Sequence, residues 1–424
     1  MGYLKLFKKN YLGLLISSII PLLILGPFFP DLIVSISTIL FLYYVFQNKN
    51  YYYFNNTPFI IFFIFWILLI FSSLLSDNIF FSLKSSFFYF RFGIFICFIW
   101  YLIDKDKNFI NLFYYSLIIC FFCLITDGFY QYLNKTNIFG LERVGGRISS
   151  FFGDELVMGS YLSRLFPLLF ALFIIKKKNK HEIYFIGALF ILTDILIYLS
   201  GERTAFVFLN LSTIFIIILI KKYQIFRLVS FLIAVLCITF LSLNSQKYFD
   251  RMILLPATNL GILTQEEQLE GQPEGQPKER VFFTPIHDSH FRTAYAMFKE
   301  KPVFGHGPKM FRIKCSNPKF SVGKWPCNTH PHNFYLQLLA ETGLVGFTFL
   351  FSVLCYISYS FLMQIRSILL KKKRHLNDYQ VCLLAGILIT VWPLSPNGNF
   401  FNNWLSIVYC LPAGFYLQSI YSKS

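Results

Sequence analysis

Twelve apolar runs, each of 17 residues or more, recur along this chain of 424 residues. Each is about the length at which a helix crosses a ~30 Å hydrocarbon core. With 56% of residues hydrophobic and 14% charged, an ordinary soluble domain is excluded. Inside a bilayer every backbone N–H and C=O needs an internal partner, so a run this long without alternation specifies a helix. The sequence therefore predicts an all-α, polytopic transmembrane bundle of about twelve spans. They fall at 11–29, 31–47, 58–76, 85–103, 109–129, 155–175, 183–200, 204–220, 225–243, 343–363, 378–394 and 401–420. The first run is long and closely followed by another, so it reads as a retained anchor and not as a cleaved signal.

The formal charge of +17 does not point to nucleic acid, because its Lys and Arg residues lie in short connections between spans. One side carries Lys5, Lys8, Lys9, Lys49, Lys105, Lys107, Lys176, Lys177, Lys178, Lys180, Lys221, Lys222, Arg227, Arg366, Lys371, Lys372, Lys373, Arg374 and Lys423. The short loops opposite hold only Lys84, Lys135, Arg143, Arg147 and Arg203. The excess of positive charge marks the cytoplasmic side, which places both termini there.

Three regions follow: spans one to nine over 1–243, a polar outer segment over 244–342, and spans ten to twelve over 343–424. Within 244–332 the charges are mixed, 12 Lys and Arg against 8 Asp and Glu, so this is no acidic or basic tail. The tandem Glu-Gly-Gln-Pro repeat over 270–277 predicts a disordered insertion. Phe291, Tyr295, Met297 and Phe298 recur at helical spacing, predicting an amphipathic helix around 288–300 that ends before Pro302. The stretch 333–363 is too long for one span, at roughly 46 Å. Gly343 is the expected break, leaving a short surface helix over about 331–342, with Pro331 in its first turn and Thr329 or His330 as its cap.

Seven of the nine cysteines lie in spans, where Cys120-Phe-Phe-Cys123 has no redox context. Cys315 and Cys327 lie in the outer segment and are expected to form a disulfide there.

Several side chains able to do chemistry project to that outer face. His332, in the first turn of the surface helix, would meet the positive helix end and stay a neutral base. A base there could activate a hydroxyl, whereas an interfacial histidine would only form hydrogen bonds. His330 and His332 lack a third metal ligand at suitable spacing, so no metal is expected. Arg203, in Ser-Gly-Glu-Arg-Thr-Ala, sits at the membrane boundary, where a guanidinium calls for an anion or for a structural partner such as Glu202. Arg147 precedes span six, Arg292 lies on the amphipathic helix, and Arg91 and Arg164 lie within apolar runs and should face the interior or a wet cavity.

Four stretches resemble the O-antigen ligase and polymerase superfamily. They are Gly146-Arg147 through Gly153-Asp154; Ser200 through Ala205; Arg292 through Phe311, with its Pro-Val-Phe-Gly-His-Gly turn; and His332-Asn333 followed by Gly343-x-x-Gly346. Together they cover roughly 150 to 350. The resemblance implies a membrane glycosyltransferase of the GT-C type, metal-independent, inverting and without a cofactor, in the bacterial inner membrane with its active site facing the periplasm. It implies His332, Arg203 and Arg292 as catalytic residues, with Arg251 competing for the place of Arg292. Arg147, Asn333, Arg91 and Arg164 are expected to contact substrate. The donor would be a glycan on undecaprenyl pyrophosphate and the acceptor lipid A–core, with membrane lipids as surroundings. A polymerase or a protein O-oligosaccharyltransferase shares the same chemistry. A ligase is expected because the chain ends soon after span twelve, without an added soluble domain. A lipid-linked glycan transporter and a non-catalytic envelope scaffold are the competing classes. The first would move glycan without a new glycosidic bond, and the second would leave site variants silent.

Overall fold

The computed structural model describes residues 11–259 and 284–422. Residues 268–278 with their tandem repeat, like Lys5, Lys8, Lys9 and Lys423, lie outside them. The described residues are almost wholly helical, and the only strand-like pairings are two isolated bridges, Thr136 to Glu142 and Val144 to Arg147.

Each of the twelve apolar runs is a helix: α1 (Tyr11–Leu25), α2 (Phe28–Asn48), α3 (Thr57–Leu74), α4 (Ile79–Lys105), α5 (Phe109–Asn134), α6 (Met158–Ile175), α7 (Lys180–Leu199), α8 (Arg203–Leu219) and α9 (Gln224–Asn244), then, beyond the polar segment, α12 (Phe334–Leu369), α13 (Asp378–Thr390) and α14 (Asn403–Tyr421). Eight of these are long and apolar enough to cross a membrane, and α1, α8 and α13 are shorter apolar helices. The chain is a multi-pass helical membrane protein. Asparagine starts many of its helices: Asn56, Asn78, Asn179, Asn333, Asn377 and Asn402 each accept a first-turn N–H. A short amide satisfies one of the donors a helix start leaves open, and that matters most where water is scarce.

Helix α6 forms the centre, with every residue from Met158 to Ile174 buried except Ser160. It packs against α8 and α13. Helices α3 and α9 instead present apolar rows outward, Ile60, Phe63, Ile64 and Ile67 on one and Ile225, Leu232, Leu236 and Phe240 on the other. Such rows belong against lipid chains. Arg227, counted above with loop charge, lies inside α9 and is fully buried. Its guanidinium forks onto Asp194 at 2.8 and 3.0 Å and donates to Thr213 at 2.7 Å. It is an interior ion pair and carries no information about sidedness.

Between α9 and α12 the polar segment begins with α10, a helical stretch over 246–259 with a π turn at Asp250–Leu254. Helix α11 (Pro285–Glu300) follows, capped by Thr284. Cys315 and Cys327 are joined by a disulfide with Cα atoms 5.1 Å apart. Asp77, between α3 and α4, pairs with Lys301 at 3.0 Å and with Lys314, which docks the segment on the bundle.

Helix α12 breaks at Gly343 (φ 65, ψ −160). The Pro302–Gly307 turn is threaded into the break. Leu344 N donates to Pro302 O at 2.8 Å, His306 N to Ala340 O at 3.1 Å and Gly307 N to Glu341 O at 2.7 Å. A methyl on Gly343 would overlap the Val303 carbonyl, and one on Gly305 (φ 65) the Glu341 carbonyl carbon. The backbones meet where only glycine leaves room.

Candidate active site

The first half of α12 starts at Asn333, later than the sequence suggests. The Asn333 side chain accepts from Tyr335 N at 3.0 Å and Leu336 N at 3.1 Å, and its Nδ2 donates to Pro393 O at 2.9 Å. Both polar atoms of Asn333, expected among the substrate contacts, thus hold protein. Pro331 and His332 precede the helix. His332 takes a left-handed conformation, φ 58, so it lies outside the first helical turn and the helix end is not what keeps its ring neutral.

What surrounds the ring is other imidazole. His330 lies 4.2 Å away between ring centroids, His287 5.3 Å and His290 5.4 Å, the last two from α11. Burial pushes the His332 imidazole down to about 3, and the neighbouring His330, His287 and His290 push the same way. His330 and His287 are each held near 4, by burial first. A desolvated ring among rings has nothing to stabilise a positive charge. The backbone of the loop between α13 and α14 fixes the ring's position: Asn397 N donates to His332 O at 2.6 Å. Asn328 Nδ2 contacts His332 Nε2 at 2.9 Å, the geometry of a donor meeting a ring lone pair.

Asn397 is the hub of this support. Its Oδ1 accepts from Arg164 Nη2 at 2.7 Å, its Nδ2 donates to Thr390 O at 3.1 Å, and its carbonyl lies 3.3 Å from His330 Nε2. Arg164 therefore faces the interior and ties α6 to the loop carrying the histidine. Arg91 is also interior, but its partner is Asp31 at 2.7 Å, which places it in a structural pair within the bundle.

Arginines gather beside the histidines. Arg147 Nε reaches Ser200 O at 3.4 Å and Arg251 Nε reaches Gly201 O at 3.0 Å, so both cover the α7–α8 turn. Arg203 opens α8 two residues later, and its charge adds to the burial that lowers the His287 imidazole. None of the three is ion-paired with a carboxylate among the described residues. Burial lowers the Arg147 guanidinium, Glu202 opposes, and Arg251 and Arg203 lower it further. The Glu202 carboxylate is occupied at the start of α6, accepting from Gly159 N at 2.6 Å and Ser160 N at 2.9 Å. It secures the turn and offsets part of the Arg147 charge, but forms no ion pair with Arg147, Arg203 or Arg251 among the described residues. A cavity of about 110 Å³ opens between Arg147, Arg251, Gly146, Gly201 and Lys247. Guanidinium groups without an ion-pair partner around a cavity suit an anion with several oxygens.

Arg292 is placed differently. It is 42% exposed and pairs with Asp288 one turn earlier at 2.6 Å. At 100° per residue it stands about 160° around α11 from His290, the residue that stacks on His332. Sequence pattern does not single out His287, His290 or Asn397. The two histidines lie on the amphipathic helix at i and i+3, the spacing that puts them on one face. No group of three or more His, Cys, Asp or Glu among the described residues is arranged to hold a metal ion.

Residues 186–351 match the family model described as O-antigen ligase, a stretch that contains Arg203, Arg251, Arg292 and His332 but neither Arg147 nor Arg164. No curated protein matches the chain.

Proposed function

We propose that this chain, a member of the O-antigen ligase and polymerase superfamily through residues 186–351, transfers a glycan from a polyprenyl pyrophosphate to a hydroxyl of lipid A–core on the periplasmic side of the inner membrane. The observation that supports this best is a neutral imidazole, His332, 5.3 Å from His287, which in turn lies within the field of Arg203. In this reading the acceptor hydroxyl displaces Asn328 Nδ2 from His332 Nε2 and gives its proton to that nitrogen. The freed oxygen forms the new bond to the anomeric carbon from the side opposite the pyrophosphate, whose C–O bond breaks. The configuration inverts, and the leaving pyrophosphate gathers charge against Arg147, Arg203 and Arg251. Cations placed where charge develops, in a site with little water, stabilise the transition state more than the ground state. Arg251 takes the place expected of Arg292, because it shares the turn with Arg147. Arg164 and Asn397 act through position, by holding the loop against His332.

The test is reconstitution of the full chain in proteoliposomes with a polyprenyl-pyrophosphate glycan and two acceptors in turn, lipid A–core and a second lipid-linked glycan. A new glycosidic bond on lipid A–core is the expected result, and bond formation on the lipid-linked glycan alone would make the chain a polymerase. Passage of glycan across the bilayer with no new bond would overturn the reading.

A further inference from the structure

We infer that the pocket lined by Lys135, Arg143 and Lys247, which adjoins the arginine cavity, binds the phosphate of a membrane-embedded lipid. The pocket holds about 380 Å³, within the range of about 300–1,000 Å³ usual for small-molecule sites. Thr136, Glu142 and Gly146 complete the lining, so three cations face one carboxylate. Neither Lys135 nor Lys247 is ion-paired among the described residues. Arg143 is held in place, donating to Tyr132 O at 3.2 Å.

The walls are built, not draped. Two buried side chains at the end of α5 fasten the 135–153 loop from below. Asp127 accepts from Ile138 N at 2.9 Å and Ser150 Oγ at 2.6 Å, and Gln131 from Ser149 N at 3.0 Å and Ser150 N at 2.9 Å. The two isolated bridges cross-tie the same loop. Gly146 (φ 73) lies under the Lys247 ammonium, in a left-handed conformation that favours glycine.

The pocket's depth identifies the class of ligand. Lys135 follows the last residue of α5, and Lys247 lies three residues beyond α9. Leu133 and Leu243, at the ends of those two helices, are 76% and 82% exposed, and Phe139 in the loop is 76% exposed. Exposed apolar side chains just below a basic pocket match the boundary between acyl chains and headgroups. A lipid phosphate can fill the pocket while its chains cover that apolar rim; a soluble anion would leave the rim bare. The pocket shares Gly146 and Lys247 with the smaller cavity beside Arg147 and Arg251. Seating the acceptor's phosphate-bearing anchor next to the donor is therefore its use, a clause that rests on the transferase reading; the binding itself does not.

The experiment uses the full chain in phosphatidylcholine nanodiscs, with lipid retention read by native mass spectrometry. The probes are phosphatidic acid, bisphosphorylated lipid A and dephosphorylated lipid A. The K135Q/K247Q variant should bind the phosphorylated probes about 25-fold more weakly, roughly fivefold per lysine, with the dephosphorylated probe unchanged. The K135R/K247R variant should restore binding and reports that the fold is intact. A loss confined to bisphosphorylated lipid A assigns the site to a phosphorylated glycolipid; an equal loss for phosphatidic acid assigns it to bulk anionic lipid. Unchanged retention of both phosphorylated probes, or an equal loss of the dephosphorylated one, would overturn the inference. A wild-type chain that binds these lipids but transfers no glycan would defeat the transferase reading and leave this site standing.

Discussion

Lowering the pH distinguishes a His332 imidazole buried among imidazoles from an ordinary surface histidine. An unperturbed ring, with a pKa of about 6.5, is only about a tenth neutral at pH 5.5. His332 is pushed down to about 3, by burial and then by His330, His287 and His290, so at pH 5.5 nearly every ring is still a base. The acid limb of kcat/KM should accordingly lie below pH 5, not near 6.5. Stability works in the opposite direction. The unfolded chain binds protons on these histidines as pH falls through about 6.5, while the folded chain does not until about 3 to 4. The unfolded state therefore gains protons first, and stability contributed above the ordinary histidine value is lost progressively in that window. At pH 5 the upper limit is roughly 2 kcal/mol for one ring, at about 1.36 kcal/mol per unit, and less once the partial exposure of His332 is discounted. The assay is initial-rate transfer in proteoliposomes between pH 4 and 8, each point checked by return to pH 7.5 to separate titration from unfolding. A reversible acid limb centred between 6 and 7 would refute the buried-base geometry.

Gly343→Ala combines a left-handed backbone, about 1–2 kcal/mol for a residue with a side chain, with loss of the Leu344 N to Pro302 O bond, about 1 kcal/mol. A destabilisation of about 2–3 kcal/mol is expected in detergent–SDS unfolding. Gly140→Ala (φ 82), with open space where its methyl would go, should lose only the conformational part. Arg251→Gln should lower kcat about 100-fold or more, as removal of a preorganised charge stabiliser does, whereas Arg292→Gln should stay within a few-fold; the reverse order in single-turnover assays would restore Arg292 to the site. Cleaving the Cys315–Cys327 bridge, as in Cys327→Ser, should cost about 3 kcal/mol by chain entropy, read as earlier proteolysis of the 284–330 segment under non-reducing conditions.

The helices were legible because a bilayer admits so few solutions. Apolar length located α1 to α9, the second half of α12, α13 and α14 within about six residues, and Gly343 was the expected break in α12. The start of α12 was not legible. Pro331 suits a first turn, but His332 adopts a left-handed conformation and Asn333 takes the cap, a local choice made by contacts with Pro393 and Asn397 some sixty residues away. The arginine cluster was half legible. Arg147 and Arg203 stood out as charges at the membrane boundary, whereas Arg251 stood only as a competitor to Arg292; it sits in a π turn and reaches the α7–α8 turn where Gly201 leaves room for it. The imidazole cluster depends on α11 crossing behind His332, a long-range contact that no local pattern encodes.

The central claim is that the His332 ring accepts the proton of the attacking hydroxyl. It is tested most directly by single-turnover transfer with the His332→Ala chain in proteoliposomes, alongside its retention of the polyprenyl-pyrophosphate donor. The account predicts a rate loss of about 10²–10⁴-fold with donor binding intact. Transfer at the wild-type rate by that variant would contradict it.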